Sequence, residues 1–526
     1  MRYLLQAVPK GMTRNSAGGA SFAVDDWSRL DRFIILGSEG GSYYASEREL
    51  TTQNCAAVMR CLAVDGPRAV ERIAQLSESG RAAKNDPAIF ALALASNVAS
   101  AKTAAMAAFP RVCRTGSHLL TLVKMLKGYR GFGRALRRAI AGWYGSRQPA
   151  ELAYQLLKYR QRGQWSHRDA LRLSHAAAPS PQHQALYRYA VGASPAAREV
   201  KRGLSLTCYP ETSSLPELVT DFESLQAAVS AEEACRILEA NPNLSWEMVP
   251  SELLSSPKVW HSLQPNLAMT ALLRNLGRMT ANGSLQANIQ PICERLTCRE
   301  ALQKARLHPL ALLTALAAYR LGSSRSGLSW TPISQIVLAL EAAFYLSFGN
   351  VQPAGKRTLI GLDVSGSMSC PLSGSNSLSC ATAATAMAMV TVRTEPWCRV
   401  MAFSDKFIPV DIHPNDRLEH VMERTSRISF GSTDCSLPML WALDNKIEVD
   451  TFVVYTDSET WCDRVKPDQA LRCYRAEMGI AARLIVVAMV ANQFSIADPD
   501  DGGMLDVVGF DTAAPEQISA FSRGEL

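Results

Sequence analysis

No window of this sequence offers the ~20 uninterrupted apolar residues that a membrane-spanning helix needs, so an integral membrane protein is not expected. A secretory leader is not expected either, because the short apolar stretch in MRYLLQAV runs straight into Pro9, Lys10 and Arg14. The 13 cysteines lie scattered from Cys55 to Cys473 without a C-x-x-C pair, which leaves no zinc ribbon or dithiol redox motif to expect. They are too sparse for a secreted disulfide scaffold, and reduced core thiols in a soluble, cytoplasmic protein are the expectation.

Acidic residues are the next scarcity, and a local one. The net charge of +7 is the sum of two unlike parts: residues 351–526 carry 15 Lys and Arg against 23 Asp and Glu, and residues 1–350 carry 40 against 25. Two bodies with different partners follow, as the length of 526 residues already suggests. Within Arg111–Arg172, 14 basic residues face only Glu151 and Asp169. Salt-bridge lacing of helix faces cannot account for cations without anions, so this segment is expected to contact nucleic acid. Tyr129, Phe132, Trp143, Tyr144, Tyr159 and Trp165 are interleaved with the cations and are expected to offer stacking faces to single-stranded bases.

From about Ser46 to Phe348 the chain reads as successive Ala- and Leu-rich segments with apolar residues at i, i+3 and i+4, separated by Gly, Pro, Ser and Asn. Helices are expected at 47–62, 66–79, 86–108, 115–127, 131–144, 149–162, 166–176, 266–279, 308–320 and 334–348. An all-α module of stacked helix pairs of the HEAT type follows, over residues 1–350. Ser166 and Asp169 form a capping box that starts a helix near His167. Arg168, Arg172 and His175 then share one face, and Lys158 and Arg162 lie at i, i+4 on the preceding helix, so two basic stripes are expected to track phosphates. Arg134, Arg137, Arg138, Arg274 and Arg278 are further candidates.

At Lys356 the pattern changes. TLIGLDVS, CRVMAFSD, TFVVYTDSE, RLIVVAM and MLDVVGF read as short apolar strands, with helices expected at 382–395, 437–446, 468–478 and 514–523. This alternation predicts an α/β doubly wound domain over 357–526, with a parallel sheet between helices. Its ligands belong at the carboxyl ends of the strands. There the first strand ends in Asp363-Val-Ser365-Gly-Ser367, the loop Gly431-Ser432-Thr433-Asp434 precedes a helix, and Asp457 ends another strand. Asp363, Ser365, Ser367, Thr433 and Asp457 are all hard oxygen donors and suit a divalent cation, Mg²⁺ first and Mn²⁺ or Ca²⁺ next. No nucleophile, general base or P-loop accompanies them, and Glu459 stands beside the set as a supporting carboxylate, so no enzyme is expected.

The order and spacing of these ligands resemble the metal-ion-dependent adhesion site of von Willebrand factor A domains. Across nearly the whole chain, RLDRFIILGSEGGSYY, GRALRRAIAGWY, KYRQRGQWSHRDALRLSH, TALLRNLGRMTAN, GSTDCSLPMLWA and FSIADPDDGGMLDVVGFDT resemble the Ro ribonucleoprotein autoantigen family. That resemblance implies a multidomain protein: a ring of HEAT-like repeats, the TROVE module, followed by a Rossmann-like von Willebrand factor A domain. It implies binding of small noncoding Y RNAs on the outside, with Lys158, Arg162 and His175 among the contacts, and entry of single-stranded ends of misfolded or precursor RNAs into the central hole. It further implies RNA quality control beside an exoribonuclease, under stress among other conditions, and a protein ligand at the metal site. The residues themselves leave open a scaffold whose basic helices bind an acidic protein, and, more weakly supported, a metal-dependent hydrolase.

Overall fold

The structure, a computed structural model, describes residues 9–37, 47–82, 84–129, 132–192, 215–287, 289–324, 326–349, 351–372, 378–429, 431–460 and 465–525. Arg130 and the 38–44 portion of the string RLDRFIILGSEGGSYY lie outside the described residues.

A short antiparallel pair, β1 (Thr13–Arg14) and β2 (Ala20–Ala23), precedes the helices. Then come α1 (Asp26–Leu36), α2 (Glu47–Val64), α3 (Gly66–Ser79), α4 (Asp86–Ala95), α5 (Lys102–Val112), α6 (Gly116–Tyr129), α7 (Arg134–Gly145) and α8 (Pro149–Lys158). The expected helix 86–108 is two helices. Ser96 donates to the Ala93 carbonyl at 2.7 Å and Ser100 to the Leu62 carbonyl at 3.1 Å, and such side-chain bonds compete with helix continuation.

The helices stack in two layers, α3 on α5, α5 on α7, and α4 on α6. Their apolar stripes make one continuous core in which Trp143, Tyr144 and Phe109 are fully buried. The helical run continues from Glu217–Ala227 to Pro309–Arg320 and returns to its start: His308 Nε2 donates to the Arg81 carbonyl at 2.9 Å, and its Nδ1 accepts from Leu310 at 3.2 Å. The helical run thus comes back on itself across 227 residues.

The expected helix 149–162 ends early. Tyr159 leaves helical geometry, and β3 (Gln161–Arg162) pairs with β4 (Trp165–Ser166) through Gly163 and Gln164, both with positive φ. Two consecutive left-handed residues make the tight turn that matches strand twist. The helix after it, α9 (His167–Ser174), starts as expected: Ser166 and Asp169 close a reciprocal capping box.

His167 sits under this start, buried, its Nδ1 2.7 Å from the Tyr144 hydroxyl. Burial pushes its pKa down to about 4. The unfolded chain therefore takes up this proton first: the stability of neutral His167 is fully present above about pH 6.5 and is lost as pH falls through 4. In urea titrations the advantage of wild type over His167→Gln should shrink by about 3 kcal/mol between pH 7 and 4, and a gap that ignores pH would sink this assignment.

The C-terminal domain is built on a six-stranded sheet of β5 (Thr358–Asp363), β6 (Cys398–Phe403), β7 (Phe407–Pro409), β8 (Thr451–Thr456), β9 (Arg483–Ala488) and, after the short β10 (Phe494–Ser495), β11 (Met504–Val508). Its order is β11-β9-β8-β5-β6-β7, parallel apart from β7, which returns along the edge of β6. Helices Cys380–Thr394, Leu437–Asp444, Pro467–Met478 and Ala513–Arg523 lie where strand and helix alternation predicts them. A further helix, Leu418–Ser426, was not foreseen.

The two halves are stitched together at the N-terminus. Strand β2 pairs with β10, and Asn54 donates to the Ala491 carbonyl at 2.6 Å. Among the described residues, no helix is long and apolar enough to cross a membrane.

Candidate functional site

The cation-rich segment divides into paired and unpaired residues. Arg111 reaches Glu71 and Glu78, both at 2.7 Å, and Arg147 lies over the Trp143 ring and 3.3 Å from Glu151. Acids brought from another helix therefore do neutralise part of the segment, contrary to the expectation from sequence. Arg134, Arg137, Arg138, Arg162, Arg168 and Arg172 are exposed and, among the described residues, enter no ion pair. Three of them crowd the first five residues of α7, near the end where the helix dipole is already positive. That arrangement costs stability unless an anion approaches.

Lys158 is not the free cation of a stripe. Only 14% of its side chain is exposed, its Nζ donates to the Tyr154 hydroxyl at 2.8 Å, and Glu247 lies 3.8 Å away. Burial pulls its pKa down, but the Tyr154 bond and the Glu247 charge outweigh burial and hold it above the ordinary value. Arg162 lies on the hairpin opposite Trp165, not one helical turn beyond Lys158. His175 caps α9 in the left-handed region, φ 50°, and is exposed. Helical periodicity therefore holds for Arg168 and Arg172 but cannot be extended to His175. Arg274 and Arg278 share an exposed face of Met269–Ala281, and the Arg274 charge reaches Tyr159.

The aromatic expectation needs a similar correction. Trp143 and Tyr144 belong to the core, with Trp143 Nε1 donating to the Cys113 carbonyl at 2.6 Å. Phe132 and Trp165 pack edge to face on one another at 5.9 Å, and Lys127 lies over the Trp165 ring.

In the C-terminal sheet the strand order reverses between β5 and β8, and the crevice at such a switch point is where doubly wound domains hold ligands. Asp363 ends β5 and Asp457 follows β8, so adjacent parallel strands bring two distant carboxylates together. Asp363 Oδ1 accepts from the Ser365 amide at 2.9 Å and its Oδ2 from the Thr456 hydroxyl at 2.6 Å. Ser365 and Ser367 hydroxyls lie 3.0 Å apart, and Ser367 also reaches the Asp457 carboxylate. Thr433 is buried, and its carbonyl accepts from Thr460 at 3.3 Å, which ties its loop to the one carrying Asp457.

Burial, and then the Asp457 charge, push Asp363 above the usual carboxylate range; burial does the same to Asp457. Asp457 Oδ2 is buried and, among the described residues, has no hydrogen-bond partner. Two crowded carboxylates, one of them with an unsatisfied oxygen, beside the Ser365 and Ser367 hydroxyls and the buried Thr433 suit a hard divalent cation.

Several residues of this site carried no signal in the sequence. Asn15 Nδ2 donates to the carbonyls of Ser458 at 3.2 Å and Thr460 at 2.8 Å, and the Ala17 amide donates to Glu459 Oε2 at 3.0 Å. Gly19 passes so near that a Cβ there would stand 1.8 Å from the Thr460 carbonyl oxygen. The turn between β1 and β2 thus clamps the loop after Asp457 from more than 400 residues away. Asn492 adds a bond to the Asp457 carbonyl.

The family model described as the TROVE domain matches residues 13–320, and that described as the Ro60 vWA domain matches 357–522. The curated RNA-binding protein RO60 of Deinococcus radiodurans is 41% identical over 98% of this chain and 96% of its own length. The protein of the same name from Caenorhabditis elegans is 34% identical over 99% of this chain and 92% of its own. The solved structure of the Deinococcus radiodurans RO (RSR) protein superposes with a TM-score of 0.68 at 38% identity, covering 95% of this chain and all of that one. None of these matches carries the name of an enzyme. Agreement in both halves and along nearly the full length leaves one conclusion: this chain belongs to the Ro60 family.

Proposed function

We propose that this protein binds RNA without transforming it, holding small structured RNAs of the Y class on its exposed arginines and receiving single-stranded ends of misfolded or precursor RNAs. The reading includes a role in RNA quality control and processing in the cytoplasm, beside an exoribonuclease that does the cutting. What carries it is the set of exposed arginines that enter no ion pair among the described residues, Arg134, Arg137 and Arg138 on α7 and Arg162, Arg168 and Arg172 around α9. Relatives of similar length are named for RNA binding, which supports the same ligand.

The C-terminal crevice is proposed as a Mg²⁺ site held by Asp363, Ser365, Ser367, Thr433 and Asp457, with a coordination position left for a carboxylate of a protein partner. The cation there would supply positive charge for an acidic ligand. Asp457 would contribute its unsatisfied oxygen, and the hydroxyls would set the geometry.

The RNA surface is tested by replacing Arg162, Arg168 and Arg172 together with Ala. Binding of a structured small RNA should weaken by about 1 to 3 kcal/mol per lost base-edge contact, or more uniformly with a salt slope lower by about one unit per lost phosphate contact. An unchanged affinity and salt slope in the folded variant would remove RNA from this surface. His175→Ser, at an exposed position, should lower RNA affinity while leaving the melting temperature nearly intact.

A further inference from the structure

Between α8, the start of Glu217–Ala227, the turn at 241–247 and the start of Met269–Ala281 lies a cleft of about 610 Å³, within the size range of small-molecule sites. Its interior is not a phosphate site. Glu151, Glu217 and Glu247 line it against the single cation Lys158. Glu247 faces Lys158, and Glu151 faces Arg147. Glu217 is exposed on the first helical turn and enters no ion pair among the described residues, so one carboxylate acceptor remains available.

The opposite kind of group lies within the same walls. Trp246 Nε1, a donor only, and the Ser245 hydroxyl are buried and have no hydrogen-bond partner among the described residues. Unmatched buried polar atoms beside a cleft are ready to pair with an occupant of the opposite kind once the wall gives way. The Trp246 ring is itself braced by stacking on Trp260 at 6.3 Å, and Leu244 and Leu267 add apolar wall.

We propose that this cleft takes an unpaired guanine base of a bound RNA, an inference that rests on the RNA-binding reading. Guanine alone among the four bases joins two adjacent N–H donors, which a carboxylate accepts together, to two acceptors on its other edge. Glu217 meets the first pair, and Trp246 with Ser245 meets the second. The cations stand outside, where the backbone would run: Arg274 is exposed one turn after Ala271, which lines the cleft, and Arg162 stands on the hairpin past Lys158. A base turned inward with its phosphates on these arginines matches acid within and base without. A basic peptide would meet the arginines first and be repelled.

The test uses two single-stranded hexamers, all uridine and the same with one central guanosine, and the full-length chain. The wild type should prefer the guanosine hexamer by about fivefold to a hundredfold. Glu217→Gln should erase that preference while leaving the all-uridine affinity unchanged, and adenosine in place of guanosine should give no preference. The Arg162, Arg168 and Arg172 triple variant should weaken both hexamers and keep the preference. Equal binding of the two hexamers, or binding of neither by a chain that still holds structured RNA, overturns the guanine site and leaves the RNA-binding reading intact. Failure with every RNA overturns both. Capture of a short arginine-containing peptide that Glu217→Gln abolishes would give the cleft to a protein ligand and overturn the inference too.

Discussion

Arg32→Met should lower the free energy of unfolding by about 3 to 5 kcal/mol, the usual result of removing one partner from a buried ion pair. Arg32 lies on α1, yet every group it bonds belongs to the C-terminal domain. Its Nη1 donates to the Asn492 carbonyl and side chain, both at 2.9 Å, and to the Phe494 carbonyl at 3.1 Å, and its Nη2 meets Asp506 at 2.6 Å. The guanidinium is fully buried, so no water can replace these bonds. Methionine fills much of the volume and satisfies none of the acceptors. The loss should be read by urea unfolding, and by faster amide exchange in β9 and β11. Adding Asp506→Leu to Arg32→Met should recover part of it, because the orphaned carboxylate then disappears. A loss below about 1 kcal/mol would show that α1 is not anchored through this contact.

Asp363→Ala should abolish Mg²⁺ and Mn²⁺ binding in calorimetry, while affinity for structured RNA stays within about threefold, since sites far apart act independently. The carboxylate is the anchor because neutral hydroxyls repay the dehydration of a hard cation less well. Asp363→Asn separates ligand loss from misfolding, as it keeps the shape and removes the charge. Asp363 has its folded pKa raised, so its ionisation penalises the folded state: the associated stability is present below the unfolded value near 4 and is lost as pH rises through the raised one. In chelator at pH 7 the Asn variant should therefore melt at or above wild type, and with saturating Mg²⁺ below it. Cation affinity that survives either substitution, or metal-dependent RNA cleavage by the wild type that the variants lack, would overturn this assignment.

Local patterns carried much of the architecture. Alternation of apolar strands and amphipathic helices after Lys356 placed five strands and four helices, because side-chain period is a property of neighbouring residues. The capping box at Ser166 was legible for the same reason, with both partners three residues apart. The hairpin at 161–166 was less so: only its Gly163 hinted that α8 stops, and Gln164 accepts a left-handed conformation because the turn imposes it. The strand pair 13–23 escaped detection because it is too short to show a period.

By itself the sequence determined the two-part plan, the basic segment and the D-x-S-x-S turn that supplies three of the proposed ligands. Only the tertiary structure decided which charges are spent and which are free: Arg111 is matched by Glu71 and Glu78 from a different helix, and Lys158 by Glu247. It likewise decided that Asn15 and Gly19 brace the loop beside the crevice of Asp363 and Asp457, and that Glu217 and Trp246 line the same cleft. Contacts across tens or hundreds of residues depend on how packed elements lie in space, and no periodicity along the chain records that, because helix and strand patterns reflect only which face each element buries.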